Sequence, residues 1–206
     1  MTDRSGHSRA GQIVPGRCCG VIIDVQDFFL SQGGEGLRCK IIANTESFAR
    51  LLAYFRIPIV VTLETPVDQK GSCPQEILKH LGDPSEVFEK DFFDLTKDPQ
   101  IREHLEHLKK TQILVAGCET DVCVLQSCLG LLSLDYEVYL MEELLFSSSP
   151  NVESAVARMQ SAGAVLVSYK TLYYELLGSV RGNGFSEEME EQFGLLPGEL
   201  PDSAAG

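Results

Sequence analysis

The chain has no apolar run approaching the roughly 20 residues of a membrane span, and its polar start, MTDRSGHSRAGQ, does not read as a signal peptide. No membrane is expected as a partner, and a cytoplasmic location is the default reading. Basic residues are few: 17 Lys and Arg stand against 30 Asp and Glu, for a net charge of −13. A non-specific DNA or RNA binder neutralises phosphates with clustered Lys and Arg, so nucleic acid is not an expected partner either. The same deficit disfavours docking on an anionic bilayer. No Cys-x-x-Cys pair occurs, which leaves zinc-ribbon and thioredoxin readings without support. Neither an internal repeat nor a linker divides the chain.

Cysteine is not scarce. There are seven, an odd number that cannot all pair, and in a reducing compartment they read as free thiols that pack as small hydrophobes. Cys118, Cys123 and Cys128 recur every five residues, which points successive thiols to different sides of a helix and argues against a metal cluster. The question is whether one thiol is set apart.

The 206 residues, 44% hydrophobic and 23% charged, suffice for one globular core. CGVIID (19–24) is a β-rich run ending in an acid, and PIVVTL (58–63), VFEK (87–90), TQILVAG (111–117), EVYLM (137–141) and AVLVS (164–168) read as further strands. Helical patterning covers about 41–55, 74–81, 98–109, a segment soon after 117, 151–162 and 171–178. This alternation predicts parallel βαβ units with both sheet faces covered. The expected fold is α/β, a three-layer αβα sandwich around a central, mostly parallel six-stranded sheet. A loose N-terminal arm is expected over 1–17, the domain over 18–185 and an acidic tail over 186–206. Six acids and no base follow Ser186, so nearly half of the net charge belongs to that tail rather than to a substrate site.

In such sheets ligands sit beyond the carboxyl ends of the strands. That rule gathers Asp24, Lys90 and Cys123 on one edge. A thiol at a helix N-terminus feels the positive end of the helix dipole, and a nearby ammonium adds to it; both favour the thiolate. A carboxylate in reach can take the thiol proton and hand it to a leaving amine, and backbone amides at the turn can hold an oxyanion. Those parts describe hydrolysis of an amide or related acyl compound through a thioester, with no cofactor. Each residue alone has a blander reading: Asp24 as a turn residue, Lys90 as a solvated base, Cys123 as core. Their conjunction at three strand ends carries the hypothesis.

IIDVQDFF (22–29), EKDFF (89–93) and GCETDVCVLQSCLGLL (117–132) resemble the isochorismatase-like cysteine hydrolases, a family that includes nicotinamidases and N-carbamoylsarcosine amidohydrolases. The similarity runs in order from about 18 to 178. VTLETP (61–66) with the third motif is closest to isochorismatase-domain proteins of poorly defined substrate. The resemblance implies Asp24 as general base and acid, Lys90 as electrostatic partner and Cys123 as nucleophile. It also implies a non-proline cis peptide at Cys118–Glu119 that turns amides near Val122 and Cys123 toward the oxyanion, and assembly into homo-oligomers, dimers or larger. Departures are equally informative. The metal-binding Asp-x-His pair of nicotinamidases is replaced by Leu63, Glu64, Thr65 and Pro66, so no metal site is expected. True isochorismatases lack the nucleophilic cysteine, which disfavours isochorismate. The acid after the fifth strand is Glu142 or Glu143, and the usual Ser-Arg is Ser147-Ser148.

Secondary candidates are Gln26, for orienting Asp24 or a substrate carbonyl or else satisfying backbone groups, and Phe28, Phe29, Phe92 and Phe93, for a pocket wall or else core. Thr120 is expected to support the cis turn through its hydroxyl, and Asp121 to cap the helix carrying Cys123. His104 and His107 have a metal-compatible spacing but sit among charges that mark a solvated face. A small-molecule substrate whose identity depends on loops at 30–39 and 64–74 is the leading expectation. A non-catalytic relative that binds a small molecule or a protein, or a redox sensor using Cys123, stands as the alternative.

Overall fold

The structure, a computed structural model, describes residues 11–178. Six strands form one all-parallel sheet: β1 (Cys18–Ile23), β2 (Ile59–Glu64), β3 (Glu86–Lys90), β4 (Gln112–Cys118), β5 (Glu137–Phe146) and β6 (Val165–Val167). The helices are α1 (Asp27–Leu30), α2 (Gly34–Tyr54), α3 (Val67–Lys70), α4 (Gln75–Leu78), α5 (Pro99–Leu108), α6 (Leu125–Ser133), α7 (Glu153–Ser161) and α8 (Tyr169–Leu177). The three-layer α/β expectation is met.

Both faces of the sheet are covered, which is why β1 and β4 read as continuous apolar runs and are buried throughout. Successive residues still alternate. Ile22, Val61, Leu114 and Met141 join one core with Phe48, Leu51 and Leu52 of α2 and Leu172 and Leu176 of α8. Ile23, Val60, Val115 and Leu140 join the other, with Ile101 of α5, Cys128 and Leu131 of α6 and Met159 of α7.

The strand order is β3-β2-β1-β4-β5-β6. The chain winds outward from β1 through β2 to β3, then returns to place β4 on the other side of β1. The crevice between β1 and β4 is thus a topological switch point, the place where such sheets bind ligands. Asp24 follows β1, and Cys123 follows β4.

Three expectations need correction. The 30–39 stretch is not a loop: a 3₁₀ turn (Ser31–Gly33) leads directly into α2, which has no proline to interrupt it. β5 runs five residues past EVYLM, because its pairing with β4 slips between Val115 and Gly117 and resumes at Leu145 and Phe146. The described part of the N-terminal arm is docked, not loose. Ile13 is buried, its amide donates to Glu175, and Gln112 receives the Val14 amide while donating to the Gln12 carbonyl. The acidic tail lies outside the described residues.

Candidate active site

Asp24, Lys90 and Cys123 do converge. Asp24 leaves β1 in the left-handed region, at φ 51°, a conformation uncommon for a residue with a side chain and enriched at functional sites. Its Oδ1 accepts from the Thr62 hydroxyl at 2.7 Å and its Oδ2 pairs with Lys90 Nζ at 2.7 Å. Both side chains of this ion pair are wholly buried. Lys90 also donates to the Phe92 carbonyl at 3.0 Å. Burial pushes the Asp24 carboxyl above its ordinary range, against the opposing pull of Lys90 and of hydrogen bonds from Lys90, Thr62 and Cys123.

Cys123 sits in a π-helical turn (Thr120–Val124) that opens α6, one per cent exposed. Its Sγ donates to Glu64 Oε2 at 3.0 Å. The other Glu64 oxygen pairs with Lys70 Nζ, which donates also to the Thr65 carbonyl at 2.7 Å. Helix dipole and Lys90 do not make this thiol acidic. Burial comes first and raises its pKa, the Asp24 charge adds to that, and Lys90 only partly opposes them. The resting sulfur is therefore a thiol. Glu64 is displaced the other way. Burial would raise it, but hydrogen bonds from Cys123 and Lys70 and the charges of Lys70 and Lys90 hold it below the usual carboxylate range.

Glu64, Lys70 and Thr62 are the residues that sequence reasoning missed. The strand-end rule, applied to β2 as it was to its neighbours, selects Glu64 directly, and Thr62 lies two residues back on the same side of the strand. Asp24, Glu64 and Cys123 each bring one possible ligand atom within 4.8 Å of the others. Two ammonium groups already neutralise the carboxylates of that set, however, which is unfavourable to a further cation.

The Cys118–Glu119 peptide is cis, at the position the resemblance implied. Other expectations for this turn change. The Val122 and Val124 amides both donate to the Glu119 carbonyl at 3.1 Å, so Val122 is not a free oxyanion donor. The Glu119 side chain is tied down through one oxygen only, Oε1 being buried with no hydrogen-bond partner. Its Oε2 accepts from the Ser147 hydroxyl and from the Ser148 amide and hydroxyl, each at 2.8 Å. Ser147-Ser148 thus tie β5's exit to the cysteine turn where an arginine was expected. Asp121 caps nothing; it accepts from Ser147 at 2.6 Å. The Thr120 hydroxyl is buried without a partner, so it does not support the turn as expected.

Gln26 resolves toward backbone satisfaction. Its amide donates to the Glu64 and Gly71 carbonyls and its oxygen accepts the Glu64 amide at 2.7 Å, which fixes the loop carrying Glu64 and Lys70. No polar atom of Gln26 is left for a substrate carbonyl. Phe29 is core rather than pocket wall, with Lys70 Nζ 6.0 Å above its ring. Phe92 and Phe93 are half exposed and line a cleft of about 580 Å³ with Gln126 and Leu129 of α6. His104 and His107 do not converge: the first pairs with Glu86, the second with its own helix's Glu103 carbonyl. All seven cysteines are free; Cys39 is exposed and the other six are buried.

The model of the isochorismatase domain matches residues 18–171. The chain belongs to that family. Its isochorismatase-domain relatives include the secreted isochorismatase effector Isc1 of Phytophthora sojae, 31% identical over 180 residues that cover 84% of this chain and 82% of the effector. Among solved structures, the MAR1 ribonuclease of Caenorhabditis elegans superposes with a TM-score of 0.81 at 23% identity, covering 95% of this chain and 97% of its own. The YcaC product of Escherichia coli, described as an octameric hydrolase of unknown specificity, gives 0.76 at 21% identity, with 82% and 84% covered. The fold is that of the isochorismatase-family hydrolases. Among the described residues no helix is long and apolar enough to cross a membrane.

Proposed function

We propose that the protein is a cysteine hydrolase acting on a small amide, ureido or related acyl substrate through a thioester on Cys123. The observation that carries this reading is the fully buried Asp24–Lys90 ion pair beside a thiol at the start of the helix after β4. Neighbouring groups of opposed pKa in a crevice mark sites of acid–base chemistry. In the reaction, Cys123 Sγ attacks the substrate carbonyl, and the helix start at Cys123 stabilises the oxyanion. Asp24 exchanges protons with the reacting groups, and Lys90 holds Asp24 in place and balances its charge. Loss of the amine leaves the thioester, which water then cleaves. Every step uses side chains of this chain, and none calls for a cofactor.

The test is a screen of small amides and ureido compounds for release of amine or ammonia, with Cys123→Ala as control. Turnover abolished in a variant with an unchanged circular-dichroism spectrum supports the reading. Turnover that persists without the thiol overturns it. Likeness to an octameric hydrolase also supports a homo-oligomer, for which light scattering should give a multiple of 22.7 kDa at micromolar concentration; a monomeric mass contradicts it.

A further inference from the structure

We infer that Glu64 sets the charge of the substrate: its carboxylate selects acyl groups that carry an N–H donor beside the scissile carbonyl and rejects those that carry a carboxylate there. This rests on the hydrolase reading above and names the chemistry that its site accepts.

The sulfur has two carboxylate neighbours. One oxygen of Asp24, one of Glu64 and Cys123 Sγ lie within 4.8 Å of one another, and the thiol hydrogen-bonds to both side chains. Proton exchange in the reaction falls to Asp24, which is wholly buried and raised above its ordinary range. Glu64 differs from it. Hydrogen bonds from Cys123 and Lys70 hold it below the usual carboxylate range, so it keeps its charge at neutrality. Its side chain is 13% exposed, against none for Asp24, which places it on the open side of the pair. Its position is fixed as well. Lys70 holds Oε1, Gln26 holds the Glu64 backbone at both its amide and its carbonyl, and β2 and β3 pair Glu64 with Lys90.

Bond formation to sulfur changes what Oε2 meets. In the resting site it accepts from the thiol at 3.0 Å. Once the proton has gone to Asp24 and carbon has joined the sulfur, that donor no longer exists. Oε2 is then a charged, mostly shielded acceptor with an acyl group against it, and leaving it unpaired is unfavourable. An N–H on the carbonyl carbon, or on the atom next to it, comes within hydrogen-bond reach and restores a charge-assisted bond. A carboxylate in the same place meets like charge instead. Both ammonium groups of the site are engaged elsewhere: Lys90 with Asp24 and the Phe92 carbonyl, Lys70 with Glu64 Oε1 and the Thr65 carbonyl. A site that needs a donor from its substrate discriminates strongly against analogues that lack it.

Two reagents of nearly the same shape read this selection at Cys123 itself. Iodoacetamide and iodoacetate both alkylate sulfur: the S–C bond forms, iodide leaves with the bonding pair, and the thiol proton passes to water. The first sets an amide NH2 beside the sulfur, the second a carboxylate. Their rates are measured at pH 7 by mass spectrometry of the Cys123 peptide, which separates it from exposed Cys39. The iodoacetamide-to-iodoacetate ratio is compared with that of glutathione. Both rates scale with the same thiolate fraction and the same access, so the ratio is free of them. The native ratio should exceed that of glutathione roughly tenfold or more, because like charges brought together in a shielded site repel strongly. Glu64→Gln keeps the shape and an acceptor oxygen but not the charge, and should lose most of that excess. Lys70→Met leaves Glu64 without its counter-charge and should raise the ratio above the native value. A native ratio no higher than that of glutathione, an excess that survives Glu64→Gln, or a ratio not raised by Lys70→Met overturns the inference. So does a Cys123 that neither reagent labels, since a site that selects such acyl groups must admit iodoacetamide. The ratio is read without turnover. A Glu64-dependent excess in a protein that hydrolyses no amide would sink the hydrolase reading alone, and amide turnover with no excess would sink this inference alone.

Discussion

At the residue scale the site is defined by charges that have nowhere else to go. Lys90 and Asp24 are both completely shielded from solvent and depend on each other. Removing one partner leaves an uncompensated buried charge, so Lys90→Met should cost about 3–5 kcal/mol in urea denaturation. Adding Asp24→Asn to it should recover part of that loss; additive losses would mean the pair is not coupled. Asp24 and Cys123 were legible in the sequence because each follows a run that reads clearly as a strand, and Lys90 because it ends VFEK, a weaker strand candidate beside them. Glu64 was not read, since an acid in LETP looks like a solvated turn residue and its partner is 59 positions away. Gln26 was legible as a polar strand-end residue, but only the course of the 64–71 backbone decides that its amide is fully occupied.

At the element scale, the close approach of β4 to β1 puts the two halves of the site together. Gly117 pairs with Ile23, at φ 137°, and a Cβ there would lie 2.0 Å from the Ile23 carbonyl oxygen. Gly117→Ala should therefore destabilise by more than the roughly 1–3 kcal/mol of backbone strain alone, because it must also part the strands. Lowered iodoacetamide selectivity at Cys123 should accompany the lower urea midpoint, and an unchanged midpoint would contradict this packing. Helix α5 offers a milder case. Asp98 accepts from the Gln100 and Ile101 amides, and Asp98→Ala should cost about 1 kcal/mol. A helix over about 98–109 was legible from its amphipathic, charged pattern alone, and Asp98 and Pro99 open it. The helical character of 31–39 was not, since three glycines and mixed polarity hide its period. Nor was the length of β5, because Glu142 and Glu143 fall where the pairing slips, and an acidic pair reads as the end of a strand.

At the scale of the whole molecule, the amino-terminal segment closes the end of the sheet opposite the site. Arg17 pairs with Glu137, whose other oxygen accepts from Gln112, and Gln112 in turn holds the Gln12 carbonyl. Burial would raise the Glu137 carboxyl, but the hydrogen bonds from Gln112 and Arg17 hold it below the ordinary range. A carboxyl with a folded pKa below its unfolded value of about 4.3 binds fewer protons folded than unfolded. Its stabilising contribution is complete above that value and is lost as pH falls through the folded one. Glu137→Gln should accordingly show a smaller drop in urea midpoint between pH 7 and about pH 3.5 than the native protein; an equal drop would place the acid sensitivity elsewhere. The sequence suggested a loose arm here because residues 11–17 lack periodicity, while the contacts that dock it come from Gln112, Glu137 and Glu175, far along the chain.

The central claim is that Cys123 forms a covalent acyl intermediate. Its most direct test is rapid acid quench of the protein with a turned-over amide, followed by intact-mass and peptide mass spectrometry. The account predicts a transient mass increase equal to the acyl fragment, confined to the Cys123 peptide and gone at the end of turnover. Turnover without any adduct on that peptide, or an adduct that forms equally in Cys123→Ala, would contradict it.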